Sequence, residues 1–357
     1  MISHLKLENI RLHDTYEMTL GKTNILIGKN GAGKTSILEA LALLSWGRSF
    51  RCDDKRNLVK NDKAYGRVTA DELEVFIQKE PRLLLKVKER GVPKRLTDFV
   101  GKIKVVAFSP ETLSIITGAP AQRRRFLDIM ISEVSKRYLK SLSEYTKVRR
   151  QRNSLIGRIN SGEASEEELV FWDGELVRYG DEIVLERLAA IKFLNEKIGD
   201  LYKEISGMNG EHLQLIYHNK AGDDFAQKLR DSRPRDLAYG ATIYGPHRDD
   251  LEFRLNNMEM SEFASRGEIR SAILALKVCE LNYLEDSMKN STNYFGEYAD
   301  PILLLDDIFS EFDEDRREHL GKLILNYQSL ITTTDRSHLS PDLLKNAKVI
   351  EITRIEN

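Results

Sequence analysis

The feature that most constrains this chain is the octapeptide Gly28-Lys29-Asn30-Gly31-Ala32-Gly33-Lys34-Thr35, a complete G-x-x-x-x-G-K-T loop. It follows the apolar run Thr23 to Ile27 and precedes a helix-forming stretch that begins Ser36-Ile37-Leu38. Glycines let successive backbone N–H groups face a polyphosphate, and the helix N-terminus adds a field that favours negative charge. On this reading residues 28 to 36 form the ATP-binding loop. Lys34 neutralises the β- and γ-phosphates, and Thr35 is a magnesium ligand. A chance match is the bland alternative, and the strand before and helix after the loop argue against it.

Two further segments fit such a site. Ile302-Leu303-Leu304-Leu305-Asp306-Asp307 reads as a buried strand ending in two carboxylates. Asp306 is expected to hold magnesium, and Asp307 to orient or deprotonate the attacking water as the catalytic carboxylate alongside Lys34. Without the phosphate loop, two aspartates would merely cap the strand. Ser265-Arg266-Gly267-Glu268 precedes a helical run from Ile269 to Leu284, so Ser265 sits near a helix N-cap. By itself that is a helix start. The order of phosphate loop, Ser-x-Gly helix start and Asp-Asp strand is that of an ABC-type ATPase. In those proteins the signature helix of one subunit meets the γ-phosphate held by the other, so ATP joins two copies and hydrolysis releases them.

Composition narrows the class only a little. The chain has 357 residues and a formal charge of -1, with 31% charged residues, so any anionic partner must be met by segregated basic surface. Cys52 and Cys279 stand alone without metal-ligand spacing, which fits a reducing compartment. Met1 to Arg11 alternates polar and apolar residues rather than forming a signal, and no apolar run approaches spanning length. The expected location is the cytoplasm.

The expected fold class is α/β: an ABC/SMC-type P-loop ATPase head with a strand-rich first lobe, a helical second lobe and no long coiled coil. Leu73 to Gln78, Leu83 to Val87 and Lys104 to Phe108 read as a strand-rich extension of the first lobe. From about Ala121, long amphipathic stretches run from Arg123 to Ile159 and from Glu166 to Ile205, broken at Ser161-Gly162. The expected division is residues 1–118 for the N-terminal part of lobe I and 119–238 for helical lobe II. Residues 239–357 then complete the ATPase core, with the signature helix near 265–284 and the Asp306 strand at 302–307.

Beyond the ATPase segments, Leu5-Lys6-Leu7-Glu8-Asn9-Ile10-Arg11, Ala107-Phe108-Ser109-Pro110-Glu111 and Gly118-Ala119-Pro120 followed by Arg123 to Asp128 carry a wider likeness. Tyr244-Gly245-Pro246-His247-Arg248-Asp249-Asp250-Leu251 and Asp306 to Asp313 complete it. With these segments the chain resembles the RecF family of bacterial recombination mediators, related to SMC heads, over essentially its whole length. The resemblance implies an ATP-dependent homodimer that binds single-stranded and gapped or junction double-stranded DNA. It also implies partnership with RecR and RecO in helping RecA replace single-strand-binding protein, and a D-loop turn containing Asp313. Three positions depart from the ABC pattern: Val106 where a Q-loop glutamine is expected, Glu268 where the signature often has Gln, and Thr333-Thr334-Asp335 without a switch histidine.

Between Ala121 and Arg158 basic residues far outnumber acidic ones, so the helical lobe is expected to meet DNA phosphates, with Lys147, Arg149, Arg150 and Arg152 as candidates. The alternatives are a solvated helix face or, for Arg123 to Arg125, an intramolecular pairing that orients the two lobes. The competing function is the nucleotide-binding subunit of a membrane transporter, which would share the loop, the magnesium strand and the ATP sandwich. A clamp that binds ATP and scarcely hydrolyses it is the third reading.

Overall fold

The structure is a computed structural model that describes residues 1–52, 54–208, 210–289 and 300–353. The chain forms two compact units. The first takes residues 1–113, 204–207 and those from 270 onward, and the second takes 114–203 and 208–269.

The first unit contains two sheets. One is parallel and five-stranded, in the order Lys348–Glu351, Thr23–Ile27, Gln328–Thr333, Ile302–Asp306, Val105–Phe108. Its inner strands are buried along nearly their whole length, Ile302–Asp306 and Gln328–Thr333 at every residue, as expected where helices or a second sheet cover both faces. The other sheet is antiparallel and six-stranded, in the order His13–Thr19, His4–Ile10, Tyr65–Ala70, Leu73–Gln78, Leu84–Glu89, Val92–Lys94. Tyr65–Ala70 and Leu73–Gln78 alternate buried with half-buried residues, so one face of this sheet packs inward.

The helix Lys34–Trp46 packs against strands of both sheets, which is why its sequence is apolar on nearly every side and all of its residues but Thr35 are buried. The one carboxylate in that helix, Glu39, is fully buried. It accepts hydrogen bonds from Arg11 Nε at 2.8 Å and Nη2 at 2.7 Å, and from the Ser49 hydroxyl. A buried charge needs such partners.

The second unit is helical with a small sheet. Its main helices are Pro120–Ser132, Lys136–Asn160, Leu169–Asn195 and Phe225–Tyr239, and its strands Leu213–His218, Asp250–Leu255 and Met258–Glu259 pair antiparallel. The expected continuous helix through Glu133 is interrupted: Ser135 caps the second helix by accepting from Tyr138 N at 3.1 Å.

Three expectations change. Val105–Phe108 belongs to the parallel sheet, paired with Ile302–Leu305, and not to the antiparallel extension. Residues 239–269 lie in the second unit, because Asp250–Leu255 finds its partner in Leu213–His218, a strand that sequence reading passed over. The boundary after 118 shifts to Leu113.

Arg152 is also reassigned. It is fully buried, with Nε donating to Asp173 Oδ1 at 2.7 Å, Nη1 donating to Thr242 Oγ1 at 2.8 Å, and Nη1 lying 2.7 Å from Asp236 Oδ2. A guanidinium so enclosed binds its own helices together and is no DNA contact. Replacing Arg152 with Met would leave Asp236 buried beside no cation. A loss of about 3–5 kcal/mol in unfolding free energy, read by urea titration, is the expected result.

Candidate nucleotide site

The strand Thr23–Ile27 delivers the chain to the phosphate loop at the carboxyl edge of the parallel sheet, where ligands of open α/β sheets bind. Gly31 and Gly33 take left-handed conformations, with φ of 78° and 93°. Gly28 is required by space: a Cβ there would sit 2.3 Å from the Ile352 carbonyl oxygen. Gly33 is the N-cap of Lys34–Trp46 and supplies no side-chain cap. The Lys34 and Thr35 N–H groups are thereby left for an anion, while the Ser36 N–H is taken by the Gly33 carbonyl.

Lys34 Nζ donates to the carbonyls of Gly28 at 2.6 Å and Lys29 at 3.1 Å, which holds the ammonium over the loop. Burial lowers its affinity for the proton, and Asp307 and Asp306 oppose that shift. Asp306 Oδ1 accepts from Thr35 Oγ1 at 2.8 Å and from Thr332 Oγ1 at 2.7 Å. Burial raises its carboxyl, while the Thr332 and Thr35 hydroxyls act the other way. The strand that carries Thr332 lies between the loop strand and the Asp306 strand, so the sheet order itself brings residues 35, 306 and 332 together.

Asp307 is a non-glycine residue in the left-handed region, φ 50°, held by its N–H donating to Thr332 Oγ1 at 3.0 Å and the Thr332 carbonyl at 3.2 Å. Its Oδ1 is buried without a hydrogen-bond partner.

These groups line a cavity of about 860 Å³. Its other walls come from residues that sequence reading did not single out as site residues: Arg11, Arg51, Asn57, Lys60, Asp62 and Glu111 among them. No spacing rule marks these, since strand pairing in the antiparallel sheet and the strand ends decide where they lie. Val106 is fully buried in mid-strand opposite Leu303, so it does not occupy a Q-loop position. The loop leaving that strand reaches the cavity through Pro110 and Glu111.

The signature segment begins the helix Arg266–Lys289. Ser265 and Arg266 are exposed, and Ser265 forms a reciprocal cap with Glu268: Ser265 N–H donates to Glu268 Oε2 at 2.6 Å and Glu268 N–H to Ser265 Oγ at 3.3 Å. Glu268 at the usual Gln position is therefore a capping residue. Asp313 caps Glu314–Asn326 by accepting from Arg316 N at 3.1 Å, and the Arg316 side chain also donates to Ser271 Oγ. Of the basic candidates, Lys147 and Arg150 are exposed and Arg149 is half-buried, with Lys147 Nζ 2.7 Å from Glu144 Oε1. Arg123 pairs with Asp250 at 2.7 Å, and Arg124 donates to the Asp249 carbonyl, so these arginines brace elements within the second unit.

A model of the AAA ATPase domain matches residues 1–227. The DNA replication and repair protein RecF of Lachnoclostridium phytofermentans is 34% identical, covering 99% of this chain and 98% of its own. This chain belongs to the RecF family. The RecF of Bacillus mycoides is 31% identical over 99% of this chain and 96% of its own. A solved structure described as the recombination mediator protein RecF with ATP, in the RecFOR pathway, has a TM-score of 0.85 and 30% identity, covering 95% of this chain and 93% of that one. An SMC head bound to a winged-helix domain of ScpA has a TM-score of 0.50 at 13% identity, a likeness of fold alone. Full-length membership of the RecF family displaces the transporter-subunit reading. Among the described residues no helix is long and apolar enough to cross a membrane.

The family segment around His247, left without a role by sequence, is structural in this RecF-family chain. Tyr145 OH lies 2.7 Å from His247 Nδ1, and Nε2 is 3.1 Å from the Thr242 carbonyl. Burial, then Arg149, lowers its pKa to about 3. An unfolded histidine titrates near 6.5, so below that pH the unfolded chain binds a proton that the folded chain refuses, and acid weakens the fold. From pH 7.5 to 5 the native protein should lose about 2 kcal/mol more stability than His247→Gln, as measured by urea midpoints at the two pH values.

Proposed function

We propose that this RecF-family protein binds ATP and magnesium in the 860 Å³ cavity, closes into a homodimer around ATP, and acts on DNA in recombinational repair and replication restart. The observation that carries the reading is the meeting of Thr35, Asp306 and Thr332 beside an Asp307 oxygen that has no partner. Thr35 Oγ1 and Asp306 Oδ1, hard oxygen donors 2.8 Å apart, would hold magnesium, which would offset the negative charge of the phosphates. Phosphate oxygens and water would supply the remaining ligands.

Residues 28 to 36 cradle the phosphates and Lys34 neutralises them as charge shifts toward the leaving group. Asp307 orients the water that attacks the γ-phosphorus and accepts its proton. A short carboxylate at that place fits slow hydrolysis. In the dimer, Ser265 Oγ, the Gly267 N–H and the helix N-terminus that Arg266 and Glu268 help form face the γ-phosphate of the other copy, and Asp313 lies in the D-loop. ADP cannot bridge the two, so hydrolysis ends the dimer.

The substrate DNA is single-stranded and gapped or linear double-stranded, held by phosphate contacts from Lys147, Arg149 and Arg150. RecO and RecR are the partners for RecA loading, in the cytoplasm. The deciding measurement is molecular mass with magnesium and no nucleotide, ADP or ATP, each with and without a gapped duplex. A dimer formed only with ATP and retained on DNA supports the proposal, and a nucleotide-indifferent monomer removes the roles of Ser265 and Gly267.

Asp307→Asn should lengthen the lifetime of the ATP dimer at least tenfold, on the order of the loss when a catalytic base is removed. Equal lifetimes would mark a clamp that hydrolysis does not open. The triple change of Lys147, Arg149 and Arg150 to Ala should weaken DNA binding by roughly tenfold or more near 0.15 M salt and leave ATP affinity unchanged. Undiminished DNA affinity would place the DNA elsewhere.

A further inference from the structure

His13 lies on the strand His13–Thr19, outside every segment of the phosphate loop, yet its ring packs directly beneath that loop. It is 1% exposed, and Nε2 stands 3.1 Å from the Gly33 carbonyl oxygen. A carbonyl oxygen has no proton to give, so Nε2 carries the hydrogen and donates. The other ring nitrogen, Nδ1, is buried and without a partner, which fits a neutral ring with a bare nitrogen at that position. Burial also lowers the ring's affinity for a second proton.

Gly33 is fitted to this contact. A Cβ at Gly33 would come within 2.5 Å of His13 Nε2, so glycine admits the imidazole as well as the left-handed φ of 93°. The same carbonyl accepts Ser36 N at 3.1 Å, the bond that starts the helix. Its orientation matters because the Gly33 C=O and the Lys34 N–H belong to one planar trans peptide and point in opposite directions. A donor that fixes the oxygen on the protein side therefore fixes the N–H on the cavity side.

From this geometry we infer that His13 is a positioning residue of the phosphate loop, acting through the Gly33-Lys34 peptide to aim the Lys34 N–H at a bound phosphate. The inference rests on the reading of this loop as a nucleotide site. His13 is not among the residues that line the cavity, so it acts through the peptide alone. Its contribution is to remove the alternative peptide orientation, so that phosphate binding need not pay the free energy of reorienting the loop.

The test compares native protein, His13→Leu and His13→Gln by titration with magnesium ATP and ADP, and by thermal unfolding without nucleotide. Leucine fills the space and donates nothing, whereas glutamine retains an N–H donor. His13→Leu should weaken ATP and ADP binding by roughly three- to tenfold, the effect of one neutral hydrogen bond, and His13→Gln should recover most of that loss. Leucine binding as tight as native overturns the inference, as does a folded glutamine variant as weak as leucine. If leucine impairs folding, the glutamine comparison and the ring's nitrogen-15 NMR shifts decide. A proton on Nε2 and none on Nδ1 supports the donor role, and the reverse tautomer overturns it. Native protein without affinity for ATP would overturn the nucleotide reading itself, a result distinct from either outcome at His13.

Discussion

The structure of the first unit turns on burying the helix Lys34–Trp46 between two sheets while its N-terminus stays open. All its residues but Thr35 are withdrawn from water, so packing against both sheets, with Glu39 held by Arg11 and Ser49, fixes its axis. Its first-turn N–H groups have no side-chain cap at Gly33. A buried helix can keep such an end only where another acceptor arrives or where water enters. The parallel sheet meets that condition by ending three of its strands at the same edge, which opens the cavity there.

Charge in the cavity is arranged by hydrogen bonds more than by net balance. Asp306 is buried and satisfied by two hydroxyls, one from the loop and one from the strand between. Asp307, its neighbour, turns into the left-handed region and leaves an oxygen unsatisfied. Two adjacent carboxylates thus differ in environment, one satisfied by two hydroxyls and the other with an oxygen left unpaired.

The second unit uses its arginines internally as well as at the surface. Arg152 and Arg187 are buried among aspartates: Asp173 and Asp236 for the first, Asp128 and Asp249 for the second. Such pairs contribute modest net stability and penalise any packing that separates them, because a lone buried charge is costly. The basic count of this segment therefore overstates its basic surface. Lys147 and Arg150, on the helix that carries Arg152, remain exposed, as do Lys136, Arg137, Lys140 and Arg158.

The sequence by itself determined the nucleotide loop, the Asp306 strand, the start of the signature helix and the helical character of the middle of the chain. Each is legible because its cause is local: glycine at positive φ, a run of apolar residues with a carboxylate at its end, a serine followed three residues later by glutamate. Only the tertiary structure decided that Val105–Phe108 joins the parallel sheet, that 239–269 belongs with the helical unit, and that Arg152 faces inward. It also decided that Arg11, Glu111 and His13 stand at the loop. Strand pairing and burial depend on partners tens to hundreds of residues away, and an isolated segment carries no record of which partner it meets.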